Sequence, residues 1–410
     1  MAGIEEIVNH IVETFPGNLR EEHKKIAGIL KEHAEKGGTI VIHADADPDG
    51  ASVHGLVPIL ERLGAKVEVH HEDRRSVRFD KPGLHIVYDI TVEPYHFEKE
   101  EPPASTTIIN IDHHDNEVAE HPALVAIANP FKTDKDKILD KIRDTDRFYA
   151  YNPSIQSLHL AKRLGATREE LENLALYSAI GAVGDKADEN NPDVKNFVMN
   201  VAKYFGVQYE AFKRAALVFG LSEHFPGKFT EDRARELLKR SIESKNFNII
   251  LADPVAGELL RIIEPSLKKY EELFKNGEVD VDHHVETPKG RVRVIVLHID
   301  DDDARRIMKL KSAVGSLMLD IVKDWKEPTV VAAGQYETDK EGNEWINYRV
   351  GANYAARELG LHAGKLCRVV GKKVGGSGGG HEPVGGLKVP VQEKERIRTH
   401  MEHGIRELLK

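Results

Sequence analysis

The sequence predicts an α/β protein whose larger part is built on a parallel sheet. Three apolar runs rich in β-branched residues, at 39–43, 84–88 and 107–111, alternate with segments of helical periodicity. Strands that alternate with helices indicate parallel pairing through right-handed crossovers. Each run also ends at an acidic or imidazole side chain. Because open parallel sheets bind ligands at the carboxyl ends of their strands, we expect one chemical site there.

The predicted elements follow one another closely along the chain. Residues 4–36 predict two amphipathic helices, broken around the Pro-Gly-Asn sequence at 16–18. The remaining elements of this larger part are, in order, a strand at 39–43, a helix at 51–63, strands at 66–70, 84–88 and 107–111, helices within 155–205, and a largely helical, charged region at 208–275.

The turn after the first strand carries the strongest chemical signal. It reads His43-Ala44-Asp45-Ala46-Asp47-Pro48-Asp49-Gly50. Three carboxylates and an imidazole on one turn would repel a further negative charge and attract cations, so the turn predicts a site for more than one metal ion. The alternative is an acidic cap on the following helix, which would need one Asp rather than three and a His.

Other strand and helix ends carry the same kinds of side chain. Asp89 follows the third strand, Asp112-His113-His114 follows the fourth, and Asp185 follows a helix that ends in small residues. We expect these groups to converge on the acidic turn. A second Asp-His-His, at 282–284, lies in a polar stretch with no apolar strand before it. It is predicted to be a loop without a metal-binding role.

The C-terminal part returns to alternating strands and helices before a glycine-rich run. Strands are predicted at 292–299, 329–335 and 345–350, and helices at 312–323 and 392–409. Between the last predicted strand and the last predicted helix, residues 375–386 contain seven glycines in twelve residues. Glycine exposes backbone N–H groups and allows positive φ, so this run predicts an anion-cradling nest for a phosphate or nucleotide. A flexible linker is the alternative.

The composition is that of a globular protein without membrane spans. Hydrophobic residues make up 40% and charged residues 31%, and the net charge is −10. The acidic excess lies in 1–285, whereas 286–410 carries more Lys and Arg than Asp and Glu. The net charge of −10 argues weakly against a protein that coats duplex nucleic acid. A single cysteine, the absence of a secretory signal and the lack of ~18 consecutive apolar residues predict a cytoplasmic location.

Taken together, these motifs resemble the DHH phosphoesterase superfamily with its DHHA1 subdomain. They are His43-x-x-x-Asp47-x-Asp49, Asp89, Asp112-His113-His114, Asp185 and Gly378-Gly379-Gly380-His381. Within the superfamily the chain looks most like the archaeal RecJ-like nucleases. The resemblance implies an N-terminal helical extension (1–36), a DHH catalytic domain (37–225), a helical connector (226–285) and a smaller α/β DHHA1 domain (286–410). The active site would lie in the cleft between the two domains.

The resemblance also implies roles for individual residues. One metal ion would be held by His43, Asp47 and Asp89, and a second by Asp49, Asp89, His113 and Asp185. Asp112 would orient His113, and His114 would face the scissile phosphate. Asp45 would be either a ligand or a supporting acid. Candidates for substrate binding are Arg349, Gly378, Gly379, Gly380 and His381.

The ligand types suggest the chemistry. Mixed carboxylate and imidazole ligation suits Mn²⁺, and Mg²⁺ less well. Two such ions can activate water and neutralise charge on a phosphodiester. The resemblance therefore implies a two-metal exonuclease acting on single-stranded DNA or RNA in replication, repair or RNA processing, with a helicase or replisome partner. Alternatives are an enzyme for nano-RNA, cyclic dinucleotides or 3′-phosphoadenosine 5′-phosphate, and a non-catalytic replication scaffold. The oligomeric state stays open.

Overall fold

The computed structural model describes residues 3–72, 74, 76–98, 101–114, 117–133, 149–299, 306–339, 341–380 and 382–410. The chain forms two compact units. The first unit comprises Met1–Gly220 and Phe229–Ala256, and the second comprises Leu221–Lys228 and Gly257–Lys410. Each is described separately below.

The first unit contains a five-stranded parallel sheet with the strand order β2-β1-β3-β4-β5. Its strands are Thr39–Ala44 (β1), Lys66–His71 (β2), Gly83–Tyr88 (β3), Thr106–Ile111 (β4) and Leu124–Ala128 (β5). The predicted parallel sheet is therefore confirmed, and its four predicted strands lie within one residue of the observed bounds. The edge strand β5 was not predicted, because its sequence is an apolar run of only five residues, and periodicity does not distinguish so short a run as a strand or part of a helix.

The helices of this part begin with the two predicted N-terminal ones. They are Ile4–Glu13 (α1), Gly17–Glu35 (α2), Val57–Arg62 (α3), Tyr95–Glu98 (α4), Pro130–Thr133 (α5), Pro153–Leu164 (α6), Arg168–Gly184 (α7), Ala187–Asn190 (α8), Pro192–Phe205 (α9), Tyr209–His224 (α10), Glu231–Glu243 (α11), Asn248–Ala252 (α12) and Pro254–Lys275 (α13). Helix α10 passes into the second unit after Gly220, and α13 belongs to the second unit from Gly257 onward. The helix predicted at 51–63 is divided into a 3₁₀ helix, Gly50–Gly55, and α3. Proline lies in the first turn of α3, where its missing N–H costs no helical bond.

The second unit contains a six-stranded mixed sheet with the order β10-β11-β9-β8-β7-β6. The strands are Val281–Thr287 (β6), Gly290–Ile299 (β7), Thr329–Thr338 (β8), Glu344–Ala352 (β9), Ser377–Gly380 (β10) and Val384–Pro390 (β11). Strands β7 and β8 are parallel, and the other neighbouring pairs are antiparallel. The helices are Leu310–Val322 (α14), Tyr354–Glu358 (α15), Ala363–Lys373 (α16), a 3₁₀ helix Val391–Arg396, and Ile397–Leu408 (α17).

The second Asp-His-His sequence lies in a strand, so its prediction as a loop was wrong. It occupies β6, the edge strand paired with β7. His283 and Val285 are buried, whereas Asp282 faces outward and binds Arg293 of β7 at 2.7 Å. A half-buried edge strand alternates with a period of two and needs no continuous apolar run, which is why the polar sequence concealed it.

The glycine-rich run forms a β-hairpin rather than a nest or a linker. Strand β10 pairs with β11 in antiparallel register, and among the described residues of the run only Gly375 and Gly380 have positive φ, of 71° and 133°. Gly378 is needed for packing, because a Cβ there would lie 2.1 Å from the carbonyl oxygen of Cys367. By contrast, a Cβ on Gly379 or on its partner Gly386 would meet nothing within 4 Å. His381 lies outside the described residues.

Among the described residues, no helix combines the length and apolar character that crossing a membrane requires.

The two neighbouring glycines of β10 give a stability prediction. Gly378→Ala should lower the free energy of unfolding by about 1–3 kcal/mol, because the added methyl group overlaps the backbone of α16. Gly379→Ala adds the same methyl group to open space and should change it by less than about 0.5 kcal/mol. Urea denaturation of the two variants and the wild type measures both effects. Equal destabilisation by the two substitutions would contradict the packing assigned to β10.

Candidate metal centre

The turn after β1 brings three carboxylates to the carboxyl edge of the first sheet. The amide of Ala46 donates to Oδ1 of Asp45 at 2.7 Å, and that of Gly50 donates to Oδ1 of Asp47 at 2.9 Å. A side chain at Gly50 could not be accommodated, since its Cβ would lie 2.2 Å from the carbonyl oxygen of Asp45. The backbone of the turn therefore orients the carboxylates, and glycine lets it close this tightly.

Asp89, directly after β3, has a strained backbone and a fully buried side chain. Its φ is +62°, in the left-handed region, and its exposure is 1%. Asn110 of β4 holds this turn: its Nδ2 donates to the carbonyl oxygens of Ile90 at 2.7 Å and Val87 at 3.2 Å, and its Oδ1 accepts from the amide of Val92 at 3.3 Å. A costly conformation persists because neighbouring groups fix it, as is common at functional sites.

The two histidines after β4 are held by different partners. Nδ1 of His113 lies 2.7 Å from the carbonyl oxygen of Tyr149. Since a carbonyl can only accept, Nδ1 carries the proton and Nε2 presents its lone pair 3.4 Å from Oδ1 of Asp89. Asp112 binds Nδ1 of His114 at 2.7 Å and also accepts from the hydroxyl of Thr91 at 2.6 Å. Asp112 is therefore placed to orient His114, whereas its expected orienting of His113 stays a prediction.

Helix α7 delivers Asp185 to the same place. The helix starts with a capping box formed by Thr167 and Glu170, and its small residues allow close packing. A Cβ on Gly181 would lie 2.9 Å from Cα of Asp49. At the end of the helix, Oδ2 of Asp185 lies 3.7 Å from Nδ1 of His113 and accepts from Nδ2 of Asn152 at 3.3 Å.

Among the described residues, the structure thus brings seven candidate residues into three overlapping groups. In each group the potential ligand atoms lie within 4.8 Å of one another. The groups are Asp45, Asp47 and Asp89; Asp49, His113 and Asp185; and Asp89, His113 and His114. Asp89 and His113 each belong to two groups, so the three groups adjoin one another and share potential ligands. Asp45, which the sequence left open as a ligand or a supporting acid, lies among the potential ligands.

His43 lies apart from these groups, which corrects its expected role as a metal ligand. Its ring stacks on His85, with Nε2 at 2.9 Å from Nδ1 of His85, while its Nδ1 lies 3.0 Å from Glu72. His85 Nε2 faces the carbonyl oxygen of Lys81 at 2.9 Å, so His85 Nδ1 is an acceptor. Both nitrogens of His43 therefore already face protein partners rather than the acidic groups around Asp89.

The electrostatics of the centre call for positive charge. Burial, together with Asp47 and other nearby carboxylates, raises the pKa of Asp49 and Asp89 well above the usual range. Burial and the Asp47 carboxylate likewise raise the pKa of Asp45 to about 6. Oδ2 of Asp49 and Oδ1 of Asp89 are buried and have no hydrogen-bond partner among the described residues. Unpartnered buried carboxylate oxygens next to an imidazole lone pair fit divalent cations, so the residues present match a metal centre.

Asp112 contrasts with these carboxylates. Burial alone would raise its pKa, but the imidazoles of His114 and His113 and the hydrogen bonds from His114 and Thr91 lower it. Asp112 therefore stays ionised, which suits it to hold His114 in one orientation.

Several amide side chains that shape the centre were not predicted. Asn110 and Asn152 are described above, Asn129 donates to the carbonyl oxygen of His114 at 3.0 Å, and Gln156 donates to that of Asp112 at 2.9 Å. All four are buried. For Asn110 a signal existed, since it is a polar residue inside an apolar strand. The others lie next to helix starts, where such residues usually only cap.

The candidate substrate-binding residues lie in the second unit. Arg349 of β9 pairs with Gly386 of β11, which pairs in turn with Gly379 of β10. Directly opposed residues in antiparallel strands point to the same face, so Arg349 flanks a strip of exposed glycine backbone. Its Nε is buried without a hydrogen-bond partner, and burial lowers the pKa of its guanidinium.

Comparisons with known proteins agree with this architecture. Residues 291–407 match the DHHA1 domain family, while no curated protein sequence matches the chain. A DHH-domain structure described as a member of a family of ribosomal proteins has a TM-score of 0.64 at 16% identity, covering 98% of this chain and 93% of that one. Exonuclease RecJ bound to manganese has a TM-score of 0.54 at 17% identity, over 95% of each chain. CDC45 from Entamoeba histolytica has a TM-score of 0.53 at 8% identity, over 94% of this chain and 99% of that one.

The two Asp-His-His sequences provide a matched test of the metal centre. His113→Ala removes a lone pair shared by two groups and should weaken Mn²⁺ binding at least about 100-fold, since even supporting residues of metal sites contribute ~10–100-fold. His283→Ala removes a buried histidine whose nitrogens lack partners and should leave Mn²⁺ affinity unchanged. Isothermal titration of both variants measures this. Loss of binding in His283→Ala alone would place the metal centre elsewhere.

Asp89 provides a second test through stability. A carboxyl group whose pKa is raised by folding destabilises the fold progressively as the pH rises from its ordinary value of 3.8 towards the raised one. In chelator at pH 7.5, Asp89→Asn should therefore be more stable than the wild type by about 1–3 kcal/mol, and Asn tolerates the left-handed conformation. Adding Mn²⁺ should stabilise the wild type more than the variant.

Thermal unfolding with and without Mn²⁺ checks both statements. Equal shifts on adding the ion in the wild type and in Asp89→Asn would contradict the central place given to this carboxylate.

Proposed function

We propose that this chain, which has the DHH–DHHA1 phosphoesterase fold, is a metal-dependent phosphoesterase that degrades single-stranded nucleic acid from one end. The observation that carries the proposal is the convergence of carboxylate and imidazole groups around Asp89, with buried oxygens that lack partners among the described residues. The similarity over nearly the full length to exonuclease RecJ bound to manganese supports the same function.

The ligand groups divide between two divalent cations. Asp45, Asp47 and Asp89 would hold one, and Asp49, Asp89, His113 and Asp185 the other. The oxygen-rich, imidazole-containing set favours Mn²⁺, with Mg²⁺ as a weaker substitute. When bound, such ions supply Lewis-acid charge that lowers the pKa of water and offsets the negative charge of a phosphodiester.

His114 is the group of the protein best placed to act on the substrate phosphate. Asp112 stays ionised, lies 2.7 Å from Nδ1 of His114, and stabilises a proton there. The ring is a quarter exposed, at 25%, and its Nε2 is directed away from Asp112. In the protonated state, Nε2–H would donate a hydrogen bond to a phosphate oxygen. The attraction between the two groups would be strongest when negative charge develops on that oxygen in the transition state.

The glycine strip of the second unit is the proposed contact for the strand. Gly379 and Gly386 expose backbone on the face from which Arg349 projects. A guanidinium beside a surface without side chains suits a sugar-phosphate backbone, because the arginine binds phosphate through its fork of donors and the glycines allow close approach. His381 is proposed, from its place in the sequence motif, as a neighbour of this strip.

Two alternatives make different predictions about substrate length. An enzyme for nano-RNA, cyclic dinucleotides or 3′-phosphoadenosine 5′-phosphate fits the net charge of −10, which disfavours long polyanions. A non-catalytic scaffold is disfavoured by the convergence of ligand groups around Asp89. A helicase or replisome partner stays a prediction from the resemblance alone.

The direct test is hydrolysis of end-labelled single strands of two to forty nucleotides with Mn²⁺, with His113→Ala as the inactive control. An exonuclease releases mononucleotides from one labelled end, and its rate holds or rises with length. Degradation confined to the shortest substrates would favour the small-substrate enzyme. If correctly folded, Mn²⁺-loaded protein hydrolyses strands of no length, the non-catalytic scaffold is the remaining interpretation.

The glycine strip gives a separate prediction on binding. Each phosphate of a single strand that a cationic side chain neutralises contributes about −0.7 to the slope of log affinity against log salt concentration. Gly379→Val should weaken binding to a twenty-nucleotide strand about tenfold by blocking the strip, and Arg349→Gln should reduce the slope by about one contact. Fluorescence anisotropy at several salt concentrations measures both. Unchanged binding in the two folded variants would exclude this face as the strand contact.

A further inference from the structure

A cationic cavity lies in the first unit, formed by α1, α2 and α6. It has a volume of about 320 Å³ and is lined by Val12, Glu13, Arg20, His159, Lys162 and Arg163. Three permanent cations thus surround one carboxylate. Within the described residues none of the three forms an ion pair: Lys162 binds the amide oxygen of Asn9, and Arg163 binds His159. None of the lining residues belongs to the metal centre.

A buried hydrogen-bond chain leads from this cavity to the Asp-His-His segment. Nε of Arg163 lies 3.1 Å from Nε2 of His159, and Nδ1 of His159 lies 3.0 Å from Nδ1 of His23. Nε2 of His23 lies 3.0 Å from Oε1 of Gln156, whose Nε2 donates to the carbonyl oxygen of Asp112 at 2.9 Å. The links after Arg163 are buried, so water does not interrupt the chain.

The direction of every bond in the chain is fixed by its first member. A guanidinium can only donate, so Nε2 of His159 accepts, and the proton of neutral His159 is on Nδ1. This proton is donated to Nδ1 of His23, whose own proton is then on Nε2 and is donated to Gln156. Burial, reinforced by the neighbouring cations, lowers the pKa of His23 to about 4 and of His159 to about 3, which keeps both rings neutral.

The cavity has the size and charge for a small phosphate compound. Its volume is at the lower end for small-molecule pockets, which suits a mononucleotide rather than a long strand. Arg20, Lys162 and Arg163 give the lining more positive charge than Glu13 balances, and a bound anion would offset the excess. An anion bound by Arg163 would also compete with His159 for the guanidinium of Arg163. A change in the Arg163–His159 hydrogen bond would then be passed to Asp112 along the hydrogen bonds of the chain, because their donors and acceptors are fixed.

We propose that this cavity binds a small phosphate-bearing molecule of mononucleotide size, and that the chain from Arg163 to Asp112 makes the active-site segment sensitive to its presence. The site is separate from the metal centre and does not depend on the proposed hydrolytic activity. A mononucleotide and inorganic phosphate share the recognised chemistry, and the experiment distinguishes them.

Binding is tested by calorimetry on the full-length protein with adenosine 5′-monophosphate, inorganic phosphate and adenosine, both with Mn²⁺ and in chelator. We expect the monophosphate to bind in both conditions, phosphate to bind more weakly, and adenosine not to bind. Arg20→Ala/Lys162→Ala should weaken binding in chelator at least tenfold. The control Lys24→Ala/Lys25→Ala, which removes two exposed charges from α2, should not change it.

Binding that requires Mn²⁺ and ignores the Arg20→Ala/Lys162→Ala change would mean that phosphate binds only at the metal centre, and would overturn the proposal. Equal binding of adenosine would also overturn it, because the recognised group would then not be the phosphate.

The chain itself is tested by ¹⁵N NMR of labelled histidines in the wild type. His159 should carry its proton on Nδ1 and His23 on Nε2, and adding the monophosphate should shift both rings and His114. In Gln156→Met, the shift of His114 should disappear while that of His159 persists. The opposite tautomers, or no shift of His114 in the wild type at saturation, would contradict the coupling without any need for the variant.

Discussion

The first unit depends on one electrostatic constraint: several carboxylates are buried around Asp89, and the described residues around them supply too little positive charge to balance them. Asp49 and Asp89 are 2% and 1% exposed, and each has a buried oxygen with no hydrogen-bond partner in the described parts of the chain. Burying an unpaired carboxylate costs far more than one hydrogen bond returns. Bound cations resolve this conflict, and the sheet edge, the acidic turn and helix α7 all bring ligands to that point.

Neutral amide groups keep this arrangement in place without adding charge. Asn110 fixes the left-handed turn at Asp89, Asn152 contacts Asp185, and Gln156 holds the backbone at Asp112. Charged residues in these positions would change the net charge of the site, which the bound metal ions must offset. The site is therefore built from two layers, in which acids and imidazoles face the ions and amides set their positions, so the geometry is prepared before any ion binds.

The sequence predicted the parts of this design that follow from local pattern. Apolar runs located the strands of the parallel sheet, and the side chains at their ends located the centre, because strand ends converge in this fold. The sequence could not show that Asp45 rather than His43 lies among the potential ligands. The position of His43 depends on its contact with His85 of β3, a residue distant in sequence. Likewise, adjacent histidines gave no sign of which one Asp112 would bind. The hairpin of the glycine run was missed because glycine permits both nests and strands, and packing against α16 decides between them.

The central claim, that Asp89 joins two cation sites, is tested most directly by counting Mn²⁺ in the purified protein and recording its electron paramagnetic resonance spectrum. We expect two ions per chain with a spin-coupled signal, and loss of the coupling in Asp89→Asn. One ion per chain, or two ions with the six-line spectrum of isolated Mn²⁺, would contradict it.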